Sequence, residues 1–290
     1  MTGSSTIIVL GGPSAGKTVY LSVLYHHLWN GSDGMIMRAG SGAMHTELLG
    51  SVEALKRGTM PPATQALRPY EFELERNGQK YHLRCLDYPG ELFRRVFFDL
   101  AIDSDEAREL MRFCEDAAGV IVLADPASIV ANSAELDYCL SNLFRFYQSR
   151  PVMPKFVFAL TKRDENSELV GKHVAQFVML HLPHSARLLG PGMRMMHFSS
   201  LAKTRTQVQL ANVEVVKAPV EAMLQAIQQE QINWARQAVL RRASARDALV
   251  KAAWFLALFV TLLLSFLAGV YVRHVVELHR GATMSPGTGG

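Results

Sequence analysis

Eight residues near the N-terminus carry the densest chemical signal in the chain. Gly11-Gly12-Pro13-Ser14-Ala15-Gly16-Lys17-Thr18 follows the pattern GxxxxGK[ST]. Glycines let the main chain wrap closely around phosphate oxygens, so that successive N–H groups point inward as an anion nest. A helix starting near Gly16 aims the positive end of its dipole at the same point. Lys17 is placed to reach the β- and γ-phosphates of a nucleotide, and the Thr18 hydroxyl to ligate Mg2+. An apolar, strand-like run, Thr6–Leu10, precedes the loop, and a helix-forming stretch follows it to about Leu28. That context favours a phosphate site over an ordinary glycine-rich turn. Pro13 removes one main-chain donor and stiffens the loop.

Further polar clusters sit at the ends of apolar segments. Asp87-Tyr88-Pro89-Gly90 follows Lys80–Leu86, and Thr161-Lys162-Arg163-Asp164 follows Lys155–Leu160. Ser199-Ser200-Leu201 follows Met193–Phe198, and Thr64 closes the stiff loop that starts at Met60. Each is weak alone, since an aspartate before a turn is most often a cap. Together they lie where open α/β sheets bind ligands, at the carboxyl ends of strands.

The elements that must position them alternate between strand and helix. Tyr70–Arg76 and Lys80–Leu86 flank Asn77-Gly78 and read as a hairpin. Gly119–Ala124 and Lys155–Leu160 are almost continuously apolar, as buried parallel strands are. Glu47–Arg57, Leu136–Tyr147, Leu169–Leu182 and Val213–Ile227 have helical spacing, and residues 30–42 read as a Gly/Ser-rich loop. The predicted fold is α/β: a mostly parallel sheet with one antiparallel hairpin strand and helices on both faces.

Composition sets the outer bounds. Of the 290 residues 49% are hydrophobic and 19% charged, which excludes global disorder. Three cysteines without CxxC spacing exclude a disulfide scaffold or a zinc site. The formal charge of +4 is uneven: residues 1–230 hold 23 Lys+Arg against 24 Asp+Glu, so the main domain is not composed as a nucleic-acid binder. The basic excess belongs to residues 229–251, with Arg236, Arg241, Arg242, Arg246 and Lys251. These abut 21 uncharged residues, 252–272, which as a helix would span roughly 30 Å, one hydrocarbon thickness. The expectation is four segments: a nucleotide-binding domain 1–228, a basic juxtamembrane helix 229–251, a transmembrane helix 252–272 and a short disordered tail 273–290. The positive-inside rule places residues 1–251 in the cytoplasm, with the lipid bilayer as partner.

In order and spacing these motifs resemble the Ras-like GTPases of the TRAFAC class, and the set GPSAGKTVYLSVLYHHL, PPAT, LDYPGE and TKRD is similar to bacterial double-GTPase families over about residues 5–228. The resemblance implies a Ras-like domain binding GTP or GDP with Mg2+. It implies that Asp87 holds the metal through water and that Thr64 ligates it in the triphosphate state. It further implies that the Gly90 N–H senses the γ-phosphate and that Asp164, with Thr161 and Lys162, reads guanine, Ser200 and Leu201 lying near its O6. Glu91 stands where many relatives carry a water-orienting glutamine, and a carboxylate there opposes charge developing on a phosphate. The implied activity is slow or partner-activated hydrolysis of GTP, with a protein effector or activator, at a bacterial inner membrane. Two alternatives stay open: a non-hydrolysing nucleotide-dependent membrane scaffold, and a P-loop ATPase in which TKRD is coincidental.

The remaining polar residues read as structural. His26 and His27 point to different faces of a helix, and Pro183 separates His181 from His184. Asp125-Pro126 reads as a turn at a strand end, Cys85 as core, and Arg94 and Arg95 as surface arginines.

Overall fold

A computed structural model describes residues 5–12, 14–32, 34–61, 67–171, 173–190, 193–203 and 208–282. The sequence-expected sites Pro13 and Thr64 lie outside the described residues. The chain divides into two compact units, Met1–Gln228 and Gln229–Gly290.

In the first unit the order is β1 (Ser5–Gly11), α1 (Lys17–Leu28), β2 (Met35–Ala39), α2 (Gly42–Lys56), β3 (Arg68–Arg76), β4 (Gln79–Asp87), α3 (Gly90–Phe97), α4 (Asp105–Glu115) and β5 (Gly119–Ala124). It continues with α5 (Pro126–Ala131), α6 (Ser133–Gln148), β6 (Lys155–Leu160), α7 (Arg163–Val170), α8 (Val174–His181), α9 (Pro183–Leu189), β7 (Arg194–His197), β8 (Leu201–Lys203) and β9 (Val208–Leu210). The last helix, α10, is Val213–Ala282 and carries Pro219 within it.

Seven strands form one sheet in the order β2-β3-β4-β1-β5-β6-β7. β1 pairs in parallel with β4 and β5, and β5, β6 and β7 continue in parallel. β3 alone runs against the rest, antiparallel to both β2 and β4. Its turn, Asn77-Gly78, has φ of 51° and 76°, the doubly left-handed geometry that favours this dipeptide.

Period-two alternation along β1 explains the layering. Ile7 and Val9 enter a core shared with α1, α2 and the start of α10, while Ile8 and Leu10 enter a second core shared with α3, α4, α6 and α8. Met195 and Met196 on β7 likewise face opposite cores, as strand packing requires. Within this unit Val216, Val220, Met223 and Leu224 of α10 are buried.

Three expectations need correction. Residues 30–42 are not a loop throughout: Met35–Ala39 adds an edge strand to β3, and Gly42 already opens α2, capped by the Ser41 hydroxyl. The helix expected over 169–182 is broken, with α7 ending at Val170 before Gly171 and α8 starting at Val174. The tail expected from 273 is helical to Ala282; residues 283–290 lie outside the described residues. In the second unit the helix covers the apolar stretch 252–272, of which residues 257, 263, 264, 266–268 and 270–272 have side chains outside the description. Among the described residues no helix is long and apolar enough to cross a membrane.

One buried carboxylate ties α9 to α6. Asp137 accepts from the Ser185 N–H at 2.8 Å, the His184 N–H at 3.0 Å and the His184 ring at 2.9 Å. Burial alone would raise this carboxyl, but the bonds from Ser185 and His184 outweigh it and hold it below its ordinary value. Asp137→Ala is expected to cost about 2 kcal/mol of unfolding free energy at neutral pH. A depressed acid contributes stability above its unfolded value and loses it as pH falls through the folded one. The difference between parent and variant should therefore shrink below pH 3.8, an aspartate's ordinary value, in denaturant titrations.

Candidate nucleotide site

Five groups of residues, far apart in sequence, meet at the carboxyl ends of β1, β4, β5, β6 and β7. The first is the loop between β1 and α1. Gly11 must lack a side chain, because a Cβ there would stand 2.6 Å from the Leu123 carbonyl oxygen of β5. Lys17 opens α1 and is buried, its Nζ donating to the Gly11 carbonyl at 3.0 Å and the Gly12 carbonyl at 3.4 Å. Burial pushes this ammonium below the usual lysine range, against the pull of nearby Cys85 and Asp87. Ser14, Ala15 and Gly16 complete the described part of the loop.

The second is the end of β4. Asp87 is buried, and its Oδ2 accepts from the Thr18 hydroxyl at 2.9 Å. Two hard oxygen donors thus sit together beside the phosphate loop, the donor chemistry that suits Mg2+. Pro89 precedes α3, so Gly90 and Glu91 occupy its first turn, where main-chain N–H groups are free of helical partners. Glu91 and Arg94 line a cavity of about 260 Å3 with Gly12, Ala15, Asp125 and Leu136. Arg94 is held by Asp99 at 3.2 Å and Glu135 at 3.0 Å, and Arg95 bonds the Ser104 hydroxyl.

The third and fourth groups are the ends of β6 and β7. Thr161 donates from its N–H to the Ala124 carbonyl at 2.9 Å, which fixes the start of the turn. Lys162 then adopts φ 55°, a left-handed conformation that turns the chain into α7. The Ser199 hydroxyl accepts from the Asp164 N–H at 2.8 Å and donates to Asp164 Oδ1 at 2.7 Å. Lys162, Asp164, Ser200 and Leu201 line one small cleft of about 90 Å3 together with Thr161 and Gly16 of the phosphate loop. Met60 lines it as well.

The fifth is the end of β5, which sequence reasoning left as a turn. Asp125 is buried, caps α5 by accepting from the Ala127 N–H at 3.2 Å, and binds Lys162 Nζ at 2.7 Å. Asn166 donates to it at 3.4 Å. It fastens the TKRD turn to the neighbouring strand. Ser199 and Asp125 act through pairings of 35 and 37 residues, and short motifs do not encode partners at such separations. The only advance signal was position at a strand end. The three cysteines are free and buried, and burial raises the Cys114 and Cys139 thiols to about 12, which removes them as nucleophiles.

This arrangement is that of a P-loop nucleotide-binding domain, with phosphate loop, metal-side aspartate and base-side turn on one rim of the sheet. Residues 8–148 match the family described as Double-GTPase 1. The match is to a GTPase family and covers the segment from β1 to α6, which holds the phosphate loop and Asp87. Among solved structures, one similar chain is the RocCORdC portion of Methanosarcina barkeri Roco2 bound to GDP, at 12% identity and a TM-score of 0.39. The similarity covers 78% of this chain and 50% of that one, so this chain spans about half its length. No curated protein matches the chain.

Proposed function

We propose that this protein is a membrane-anchored guanine-nucleotide switch that binds GTP with Mg2+ and hydrolyses it slowly to GDP and phosphate. The observation that carries the reading is the shared rim. Lys17, Thr18 and Asp87 form a phosphate and metal side, and Lys162, Asp164, Ser200 and Leu201 form a base side, with Gly16 between them. A nucleotide lying across that rim meets both. Its phosphates face the loop amides and the Lys17 ammonium, and its base faces the oriented Asp164 carboxylate. Thr18, Thr64 and, through water, Asp87 would hold Mg2+, which when bound neutralises charge on the β- and γ-phosphates. Gly90 at the start of α3 would offer its N–H to the γ-phosphate. Ordering of the Thr64 and Gly90 segments by that phosphate, and their release without it, is the output.

Glu91 favours slow chemistry, because its carboxylate opposes charge developing during water attack. The same residue favours one second reading, a non-hydrolysing nucleotide-dependent membrane scaffold that binds GTP without turning it over. Single-turnover hydrolysis separates the two: release of phosphate from the isolated protein supports the first, and an intact γ-phosphate supports the second.

The anchor rests on the 21 uncharged residues 252–272 and on the basic residues that precede them. Resistance to alkaline extraction of membranes tests it, and complete extraction contradicts it. The main domain is then cytoplasmic, at a bacterial inner membrane.

Thr64→Ala is the sharpest test of the switch. GDP affinity should stay within about twofold, while GTP affinity with Mg2+ falls about tenfold, one charge-assisted ligand being lost. Titration of fluorescent analogues of both nucleotides reads the two numbers.

A further inference from the structure

Tyr88 lies inside the Asp87–Gly90 turn, yet its side chain is spent on the phosphate loop. It is buried, and its hydroxyl donates to the Gly11 carbonyl at 2.9 Å and accepts from the Gly11 N–H at 3.2 Å. One phenol therefore grips both peptide groups flanking Gly11, the residue at which β1 becomes the loop. The Gly11 carbonyl also accepts from Lys17 Nζ, and that ammonium stands 4.4 Å from the centre of the Tyr88 ring. The ring also lies nearly parallel to that of Phe93 in α3, with centroids 6.3 Å apart. The contacts thus run from the Asp87–Gly90 turn, through Tyr88, to the backbone and the cation of the phosphate loop.

We infer that Tyr88 is a positioning residue that joins the second switch to the phosphate loop, so that the hold on phosphate depends on the position of the Asp87–Gly90 turn. This rests on the nucleotide-binding reading above. A buried phenol requires partners for its hydroxyl. Here both are supplied by one glycine, at the point where β1 enters the phosphate loop. Gly11 is also packed closely against β5, where a Cβ would stand 2.6 Å from the Leu123 carbonyl oxygen, which leaves it little room to shift toward that strand. Movement of the turn is transmitted to Gly11 and Lys17 rather than absorbed by slack.

The test uses the full chain with two substitutions. Tyr88→Phe keeps the ring beneath Lys17 and removes both hydrogen bonds. Phe93→Leu loosens the same core and leaves both bonds in place. In nucleotide-free protein, amide hydrogen exchange over residues 9–18 should be about tenfold faster in Tyr88→Phe and near parental in Phe93→Leu. Dissociation of fluorescent GDP should likewise accelerate about tenfold only in Tyr88→Phe. Unchanged exchange in Tyr88→Phe, or equal acceleration in both variants, overturns the inference. Exchange is read without nucleotide, so failure of the parent protein to bind GDP would refute the nucleotide reading while the exchange data still decide whether the coupling exists.

Discussion

Lys17→Met should weaken nucleotide binding about a hundredfold and leave the fold as stable as the parent, or more stable. The two halves of this result come from the same fact. The Lys17 ammonium is buried against two carbonyls and an aromatic face. A buried cation is costly to hold, and the pull of nearby Asp87 does not offset that cost here. Its depressed value records that cost, which burial causes. On the proposed reading, the phosphate oxygens of a bound nucleotide would complete its shell. Removal of the charge should weaken nucleotide affinity about a hundredfold, as expected for loss of bonds between charged groups. The melting temperature should meanwhile hold or rise by about 2–4 °C. The pH dependence has a definite sign. A lysine with a lowered folded value subtracts stability throughout the range below that value, and stops doing so as pH rises past 10.5, the ordinary lysine value. The advantage of the methionine variant is therefore full at neutral pH and fades at alkaline pH. Calorimetry across that range checks it, and a large loss of stability at neutral pH would show that Lys17 is a structural cation.

The second large effect concerns the base. Asp164 is held by the Ser199 hydroxyl on both its amide and its carboxylate. On the proposed reading, this carboxylate at the rim of a narrow cleft would accept from the ring N–H and the exocyclic amine of guanine together. Asp164→Asn replaces one acceptor by a donor, so guanine-over-adenine preference should fall about a hundredfold. A damaged cleft would also lose preference, but it would gain nothing. The asparagine variant should instead bind xanthosine diphosphate better than the parent does, because an oxygen there replaces the exocyclic amine. Competition among the three diphosphates reads the exchange. Equal losses for all three would show that Asp164 merely supports the turn.

The parts of this site legible in the sequence were those with local causes. The phosphate loop follows from glycine spacing and a neighbouring lysine, and β5 and β6 from unbroken apolar runs bounded as the structure bounds them. The hairpin follows from Asn77-Gly78. β2 was hidden because five residues between glycine-rich ends look like a loop, and only pairing with β3 makes them a strand. α4 was not anticipated, although Ser104 ahead of Asp105 and Glu106 is a recognisable helix start. The roles of Tyr88, Asp125 and Ser199 could not be read locally, since each acts on a residue brought near by the sheet. Stretch 252–272 shows the converse: its apolar length is explicit in the sequence, while the fold of the first unit neither requires nor explains it.

The central claim is that phosphate loop and base cleft form one guanine-nucleotide site. Displacement of fluorescent GDP from the full chain in detergent, with Mg2+, by unlabelled GTP, GDP and ATP tests it most directly. The account predicts that GTP and GDP displace the probe and that ATP fails to do so at about a hundredfold higher concentration. Equal displacement by ATP would contradict it, reducing Lys162 and Asp164 to a strand-end turn and leaving a phosphate site without a guanine reader.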